Sequence, residues 1–95
     1  MQTTIESAAD LGLVLRAVRR QAGVRLDDLA ATAGVSKQFV SDLEYGKPTV
    51  RLGLVLKVLA ELGVPLALDI PQQAGPELAA LRAQGGPRRP RPRAG

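Results

Sequence analysis

The segment LDDLAATAGVSKQFVSDLEYG, residues 26–46, decides the fold of this 95-residue chain. Its apolar positions recur at helical spacing on both sides of a Gly-Val-Ser corner, which predicts two short helices over Leu26–Ala33 and Lys37–Tyr45. Gly34 is a typical helix stop, and Ser36 is a preferred N-cap residue. Because only about three residues connect them, the two helices are expected to form a helix-turn-helix and not an antiparallel hairpin.

The two sides of the second predicted helix differ in chemistry. A wheel at about 100° per residue gathers Phe39, Val40 and Leu43 on one side, which we expect to lie in the core. For Phe39 the alternative is contact with a thymine methyl group. A solvated surface would explain the polar opposite side, but its place in this motif favours contact with base edges and phosphates of DNA. That side carries a cation, an amide, a hydroxyl and a phenol, on Lys37, Gln38, Ser41 and Tyr45.

Further charged residues flank this polar side. Asp42 lies at its edge, where the carboxylate would accept from a cytosine amine, repel phosphate or cap a neighbour. Arginines near the motif are either phosphate ligands or solvated charges, and the sequence leaves both interpretations open. These arginines are Arg16, Arg20, Arg25 and Arg51.

More helices surround the motif. Ser7 is expected to cap a helix that ends near Ala22, and a fourth helix is expected over about Leu52–Leu62. Apolar residues at helical spacing along the fourth helix are expected to complete the core. They are Leu52, Val55, Leu56, Leu59 and Leu62. Together the elements predict an all-α fold of four to five helices.

One stretch has the alternation of a β-strand. Between two prolines, Leu66, Leu68 and Ile70 alternate with alanine and aspartate, the pattern of a half-buried strand over Pro65–Ile70. A lone strand leaves backbone donors and acceptors unpaired, so it needs a partner strand. The simplest partner is the same strand of a second copy, which predicts a homodimer. A strand from a different protein is the alternative.

Composition narrows the classes of function. The chain has neither cysteine nor histidine, which removes the usual thiol nucleophile, the usual general base and two common metal ligands. We therefore expect no enzyme, no metal site and no cofactor. No apolar run is long enough to span a membrane, and no secretion signal precedes the first helix, so the expected location is cytoplasmic.

Charge is distributed unevenly along the chain. The formal net charge is +4, but four of the thirteen basic residues lie after residue 84, which leaves nine basic against nine acidic residues before it. DNA affinity must then come from a local basic patch. We predict one domain over residues 7–70 and a disordered, arginine-rich tail over residues 71–95, in which Pro76–Gln84 is able to form two helical turns. The tail arginines have three open interpretations: DNA contact, a docking or degradation segment, or solubility.

The motif residues resemble the XRE, or lambda-repressor/Cro-like, family of helix-turn-helix regulators over about Leu11–Ile70. The pattern is Leu-x-x-x-Arg at 15–19, Gly-Val at 23–24, Leu-Ala at 29–30, Ala-Gly-Val-Ser at 33–36 and Val-Ser-x-Leu-Glu-x-Gly at 40–46. Within that family, Gly-Lys-Pro-Thr-Val-x-Leu at 46–52 and the strand that follows the fourth helix are similar to the HipB-like antitoxins.

The resemblance implies a dimer that inserts the helix Lys37–Tyr45 into the major groove at two half-sites about 34 Å apart. It also implies that Lys47 and the Gly46 backbone N–H hold a phosphate, and that Arg19 and Glu44 form a partly buried ion pair. Leu26 stands where the family often has glutamine, so Arg25 is expected to take over part of that phosphate contact. The residues predicted to contact DNA are thus Arg25, Ser36, Lys37, Gln38, Ser41, Tyr45 and Lys47.

These inferences predict a bacterial transcriptional repressor that binds a palindromic operator as a homodimer. The HipB-like resemblance alone adds that it is the antitoxin of a type II toxin–antitoxin pair with a HipA-like kinase toxin. The alternatives are a stand-alone or controller-type regulator with no toxin partner, and an interaction module that neutralises a partner protein and touches DNA incidentally.

Overall fold

The computed structural model describes residues 1–86, which form five α-helices and one 3-10 turn. The 3-10 turn spans Gln72–Ala74 and precedes the last helix. The described part of the chain thus confirms the predicted all-α class, and the second helix has the predicted bounds. The helices are α1 (Ala8–Gln21), α2 (Leu26–Ala33), α3 (Lys37–Glu44), α4 (Leu52–Glu61) and α5 (Gly75–Ala83).

The boundaries of the helix-turn-helix follow from its capping residues. Ser36 Oγ accepts the Phe39 N–H at 3.0 Å, which satisfies a backbone donor that has no partner inside α3. At the other side of the turn, α2 ends at Gly34, whose φ of +72° lies in the left-handed region that glycine adopts at little cost. The turn between α2 and α3 is therefore fixed by local chemistry.

The core lies between the first four helices. α3 packs against both α1 and α2, and α4 packs against α2. Phe39 is partly buried against this core, as predicted. Because Val40 and Leu43 are buried, the opposite side of α3 faces outward. The buried apolar residues are Leu15, Leu29, Ala30, Val40, Leu43, Val55, Val58 and Leu59.

The fourth helix buries part of the predicted set: Val55 and Leu59 lie in the core, and Leu62 packs against it. Val55, Val58 and Leu59 are buried, whereas Leu52 and Leu56 are exposed. The expectation that these two leucines complete the core is therefore wrong for the single chain. The helix packs mainly on α2, and Leu52 and Leu56 lie outside its buried side.

The segment after α4 has no regular secondary structure up to the 3-10 turn. The strand predicted over Pro65–Ile70 is not formed within residues 1–86, because a strand is defined by its ladder to a neighbour and the single chain supplies none there. Leu66, Leu68 and Ile70 are all exposed. Their pairing with a second copy stays a prediction.

Part of the predicted tail is ordered as helix. Within the stretch predicted as a disordered tail, residues 72–74 form the 3-10 turn and residues 75–83 form α5. Pro76 lies in the first turn of α5, where its missing N–H costs no intrahelical bond, and the helical turns expected at Pro76–Gln84 are confirmed. The arginines Arg88, Arg89, Arg91 and Arg93 lie outside the described residues.

Candidate nucleic-acid interface

The outer side of α3 displays the polar residues predicted to contact DNA. Lys37 and Gln38 are exposed, Ser41 is half-buried, and Tyr45 and Lys47 are exposed at the end of the helix. On the opposite side of the helix the Val40 side chain is fully buried. A short helix that is packed on one side and lined with hydrogen-bonding groups on the other has the form that enters a major groove.

Two further predicted contacts lie at the starts of helices. The Ser36 hydroxyl accepts the Phe39 N–H, which leaves its own proton to donate to a phosphate oxygen. Arg25 is the N-cap residue of α2, but its exposed side chain makes no capping bond. Both side chains thus remain available to a ligand outside the chain.

Acidic side chains contact three of these polar residues. Lys37 Nζ lies 3.1 Å from Asp27 Oδ2. Asp42 accepts a hydrogen bond of 2.7 Å from Gln38 Nε2 and lies 3.5 Å from Lys47 Nζ. Sequence reasoning missed these pairs, although the spacing of Gln38 and Asp42 is the one at which helical side chains meet. Of the interpretations left open for Asp42, contact with neighbouring side chains is the one that the structure supports.

A buried carboxylate connects α3 to α1. Arg19 Nε and Nη2 donate to the two carboxylate oxygens of Glu44 at 2.6 and 2.8 Å, and Nη1 donates to the Val24 carbonyl at 3.1 Å. The structure thus forms the ion pair that the family resemblance implies. The hydrogen bond to Glu44 raises the pKa of Arg19, an effect that the lowering by burial only partly offsets. A raised pKa keeps the Arg19 guanidinium charged at neutral pH.

Arg16 belongs to the same contact between helices. Its Nη2 donates to the Glu44 carbonyl oxygen at 3.1 Å, and its guanidinium carbon lies 4.6 Å from the centroid of the Tyr45 ring. These contacts favour a structural role over the phosphate contact that the sequence left open. Tyr45 itself stays 77% exposed, so its phenol remains accessible.

Two glycines allow the backbones of α1 and of the C-terminal end of α3 to lie in direct contact. A Cβ on buried Gly12 would lie 2.5 Å from the Glu44 carbonyl oxygen, and a Cβ on Gly46 would lie 2.7 Å from the Cα of Ala9. Sequence reasoning did not single out Gly12. The α1 backbone therefore contacts the C-terminal end of α3, next to the polar outer side of that helix.

The cap of α3 corrects one predicted phosphate contact. The Gly46 N–H donates to the Leu43 carbonyl at 3.1 Å, and the Lys47 N–H donates to the Asp42 carbonyl at 2.9 Å. The prediction that the Gly46 N–H holds a phosphate is therefore wrong for this conformation, because that donor closes the helix cap. The Lys47 ammonium, which is 54% exposed, remains accessible to a phosphate.

Within residues 1–86, no three acidic side chains gather in an arrangement that would hold a metal ion. Over the same residues, none of the helices combines the length and the apolar character that crossing a membrane requires.

Comparison with known proteins places these features in a family. Residues 10–69 match the family model of a helix-turn-helix domain. The chain is 44% identical over 71 residues to the uncharacterized HTH-type transcriptional regulator y4mF of Sinorhizobium fredii, and the match covers 75% of this chain and 93% of that protein.

Solved structures with similar folds point the same way. HipB, solved in a HipA-HipB-O2-O3 complex and in a complex with an O4 20mer, is 24% identical with a TM-score of 0.68, over 75% of this chain and 100% of that one. The clp gene regulator ClgR from C. glutamicum is 32% identical with a TM-score of 0.59, over 70% of this chain and 85% of that one. The chain therefore belongs to the helix-turn-helix domain family, as an XRE-like DNA-binding transcriptional regulator whose fold is similar to that of HipB.

Proposed function

We propose that this regulator is a repressor that binds a palindromic operator as a homodimer in the bacterial cytoplasm, and that it acts by binding, without a catalytic step. One observation carries the DNA contact: α3 is packed through buried Val40 and Leu43 and presents polar side chains on its other side. Because the major groove offers a distinct pattern of donors and acceptors for each base pair, a helix with such a side can select a sequence.

The side chains divide into those that suit base edges and those that suit phosphates. Gln38 offers the donor and acceptor pair that adenine matches, and Lys37 suits guanine or a phosphate. The hydroxyls of Ser36, Ser41 and Tyr45 suit phosphate oxygens, and the charges of Arg25 and Lys47 neutralise phosphates. Binding replaces the acidic partner of Lys37 by a base or a phosphate, whereas the Lys47 ammonium has three donors and can bind a phosphate while it stays beside Asp42.

An apolar surface supports the homodimer. It consists of exposed leucine and isoleucine side chains of α4 and of residues 65–70, and a groove lined by both Leu56 and Leu66 lies between the two. Exposed apolar patches of this kind mark interaction surfaces, and a second copy presents the identical surface. Pairing of the segment Pro65–Ile70 with its copy would satisfy its backbone groups at the same time. The apolar surface comprises Leu52, Leu56, Leu66, Leu68 and Ile70.

The DNA contact is tested by selection from a pool of random duplexes. We expect an inverted repeat whose half-sites are centred about 34 Å apart. The double variant Lys37→Ala with Gln38→Ala should lose on the order of a hundredfold or more in affinity for that sequence, with an unchanged circular dichroism spectrum, because both side chains are exposed. Lys57→Ala with Gln73→Ala removes the same chemical groups elsewhere and should bind normally. Unchanged affinity of the first variant would reject the assignment of α3.

The homodimer is tested by light scattering coupled to size exclusion. Leu68→Glu places a charge in the apolar surface and should give monomers. Leu13→Glu makes the same change at an exposed leucine on α1, outside that surface, and should leave the dimer intact. A wild-type chain that is monomeric at micromolar concentration would contradict the proposal.

We extend the proposal to a partner, a HipA-like kinase toxin that this chain neutralises. Its support is the likeness in fold to HipB, which is solved together with HipA. The test is coexpression with a kinase-like protein encoded beside this chain: a purified complex and restored growth are expected. A gene without such a neighbour would indicate a stand-alone or controller-type regulator. A chain that binds the kinase but selects no DNA sequence would indicate a neutralising module instead.

A further inference from the structure

We infer that Asp42 is a specificity-determining residue: it fixes the orientation of the Gln38 amide, so that the regulator accepts adenine and rejects guanine at the base pair that Gln38 faces. The inference rests on the proposed contact between α3 and the major groove. It assigns to Asp42 a positioning role and no contact of its own with a base.

The orientation of the amide follows from the hydrogen bond between the two side chains. Gln38 Nε2 donates to Asp42 Oδ1 at 2.7 Å. An ionised carboxylate can only accept hydrogen bonds, so the amide must turn its NH₂ group toward Asp42 and its oxygen away. One N–H of that group is then occupied. The Gln38 side chain has one N–H and one oxygen left for a ligand.

Asp42 is itself held in place. Its second carboxylate oxygen lies 3.5 Å from Lys47 Nζ, and its backbone carbonyl accepts the Lys47 N–H at 2.9 Å in the cap of α3. The Asp42 side chain is only 27% exposed to solvent, whereas Gln38 is an exposed residue. The carboxylate is therefore a fixed acceptor behind the amide, and the amide is the group that reaches outward.

The remaining groups of Gln38 match one purine and oppose the other. Adenine presents an acceptor at N7 and a donor at N6, which one N–H and one oxygen satisfy together. Guanine presents two acceptors, N7 and O6. An unrestrained amide could turn both N–H groups toward guanine, but Asp42 occupies one of them and leaves the amide oxygen facing guanine O6. The pair thus adds repulsion against the wrong base to attraction for the right one.

A competing explanation is that the two side chains merely pair on the helix surface, as side chains four residues apart often do. Such a pair would contribute to helix stability and leave base preference untouched. Base preference is therefore the quantity that separates the two explanations.

The experiment compares adenine and guanine at a single position of the selected duplex, the position whose preference disappears in Gln38→Ala. Wild type should prefer adenine by about fivefold to about 150-fold in Kd. In Asp42→Ala that ratio should fall severalfold, mainly because the guanine duplex binds more tightly. In Asp42→Asn the amide oxygen can still accept from Gln38 but no longer must, so the ratio should fall by less. Asp28→Asn makes the same charge change at an exposed residue of α2 and should keep the wild-type ratio.

The outcomes distinguish the inference from the function on which it rests. A wild-type chain that selects no sequence, or a Gln38→Ala variant with unaltered preferences, would reject the proposed contact of α3 and the inference with it. If those two results are as expected but folded Asp42→Asn and Asp42→Ala keep the full preference for adenine, the inference alone is overturned. Two Asp42 variants are used so that a folding defect in one of them does not decide the outcome.

Discussion

Replacing Glu44 by glutamine removes the buried charge between α1 and α3 and keeps the shape of the side chain. The carboxylate is 3% exposed and accepts hydrogen bonds of 2.6 and 2.8 Å from Arg19. Glutamine retains one acceptor but turns an NH₂ group toward the guanidinium, so one charge-assisted bond is lost and the Arg19 charge is no longer balanced. Arg19 keeps the Val24 carbonyl and some contact with water. We therefore expect a loss of about 2–3 kcal/mol, below the usual cost of about 3–5 kcal/mol for a broken buried pair.

The assay is urea unfolding followed by circular dichroism, at one protein concentration because dimerisation would add to the apparent stability. The midpoint should fall without a change in slope, and Tm should fall by about 10–20 °C. Glu61→Gln, at the exposed end of α4, should stay within about 0.5 kcal/mol of wild type. Arg19→Met combined with Glu44→Gln should cost less than the two single losses added together, because the pair is then removed as a unit. A loss below about 1 kcal/mol for Glu44→Gln would refute this reasoning.

Three further predictions concern the contacts that support α3, and the same unfolding assay measures each of them. Gly12→Ala places a methyl group 2.5 Å from the Glu44 carbonyl oxygen and should lower the free energy of unfolding by about 1–3 kcal/mol. The control is Gly53→Ala in α4, whose methyl group meets nothing within 4 Å and should raise that free energy by roughly 0.5–1 kcal/mol. Equal effects of the two variants would contradict the close approach of α1 and α3. Ser36→Ala should cost about 1 kcal/mol through loss of the α3 cap, with Ser36→Gly retaining most of the stability; a neutral Ser36→Ala would argue against that cap. Arg16→Ala should lower the free energy of unfolding by about 1 kcal/mol, because the hydrogen bond to the Glu44 carbonyl is lost. Arg20→Ala, at an exposed position of α1, should leave it nearly unchanged. The reverse order would exclude the structural role of Arg16.

The helix-turn-helix could be predicted because its determinants are local. Gly34 and Ser36 each act within a few residues, so the C-terminal end of α2 and the start of α3 follow from residue type alone. The ion pair between Arg19 and Glu44 was accessible only through the family resemblance, since the two residues lie 25 positions apart in the chain.

The parts that sequence reasoning missed depend on packing geometry. Periodicity identified the apolar residues of α4, but which of them are buried depends on how α4 packs on α2, and Leu52 and Leu56 are exposed. The pair of Asp27 and Lys37 requires α2 and α3 to meet. The outward side of α3 could thus be predicted as a set of residues. Of the contacts between its members and acidic side chains, the pair of Gln38 and Asp42 has a spacing from which it could have been found, whereas the pair of Lys37 and Asp27 does not.

The division of α3 into a packed side and a reading side has a consequence for how such regulators diverge after gene duplication. Exposed side chains such as Lys37 contribute little to folding, so a duplicate can change its DNA target there within about 0.5 kcal/mol of the original stability. A substitution of Gln38 has a further effect, because the Gln38 amide is oriented by its hydrogen bond to Asp42. A new base preference at Gln38 calls for a companion substitution at Asp42, so these two positions should change together as duplicates acquire separate operators.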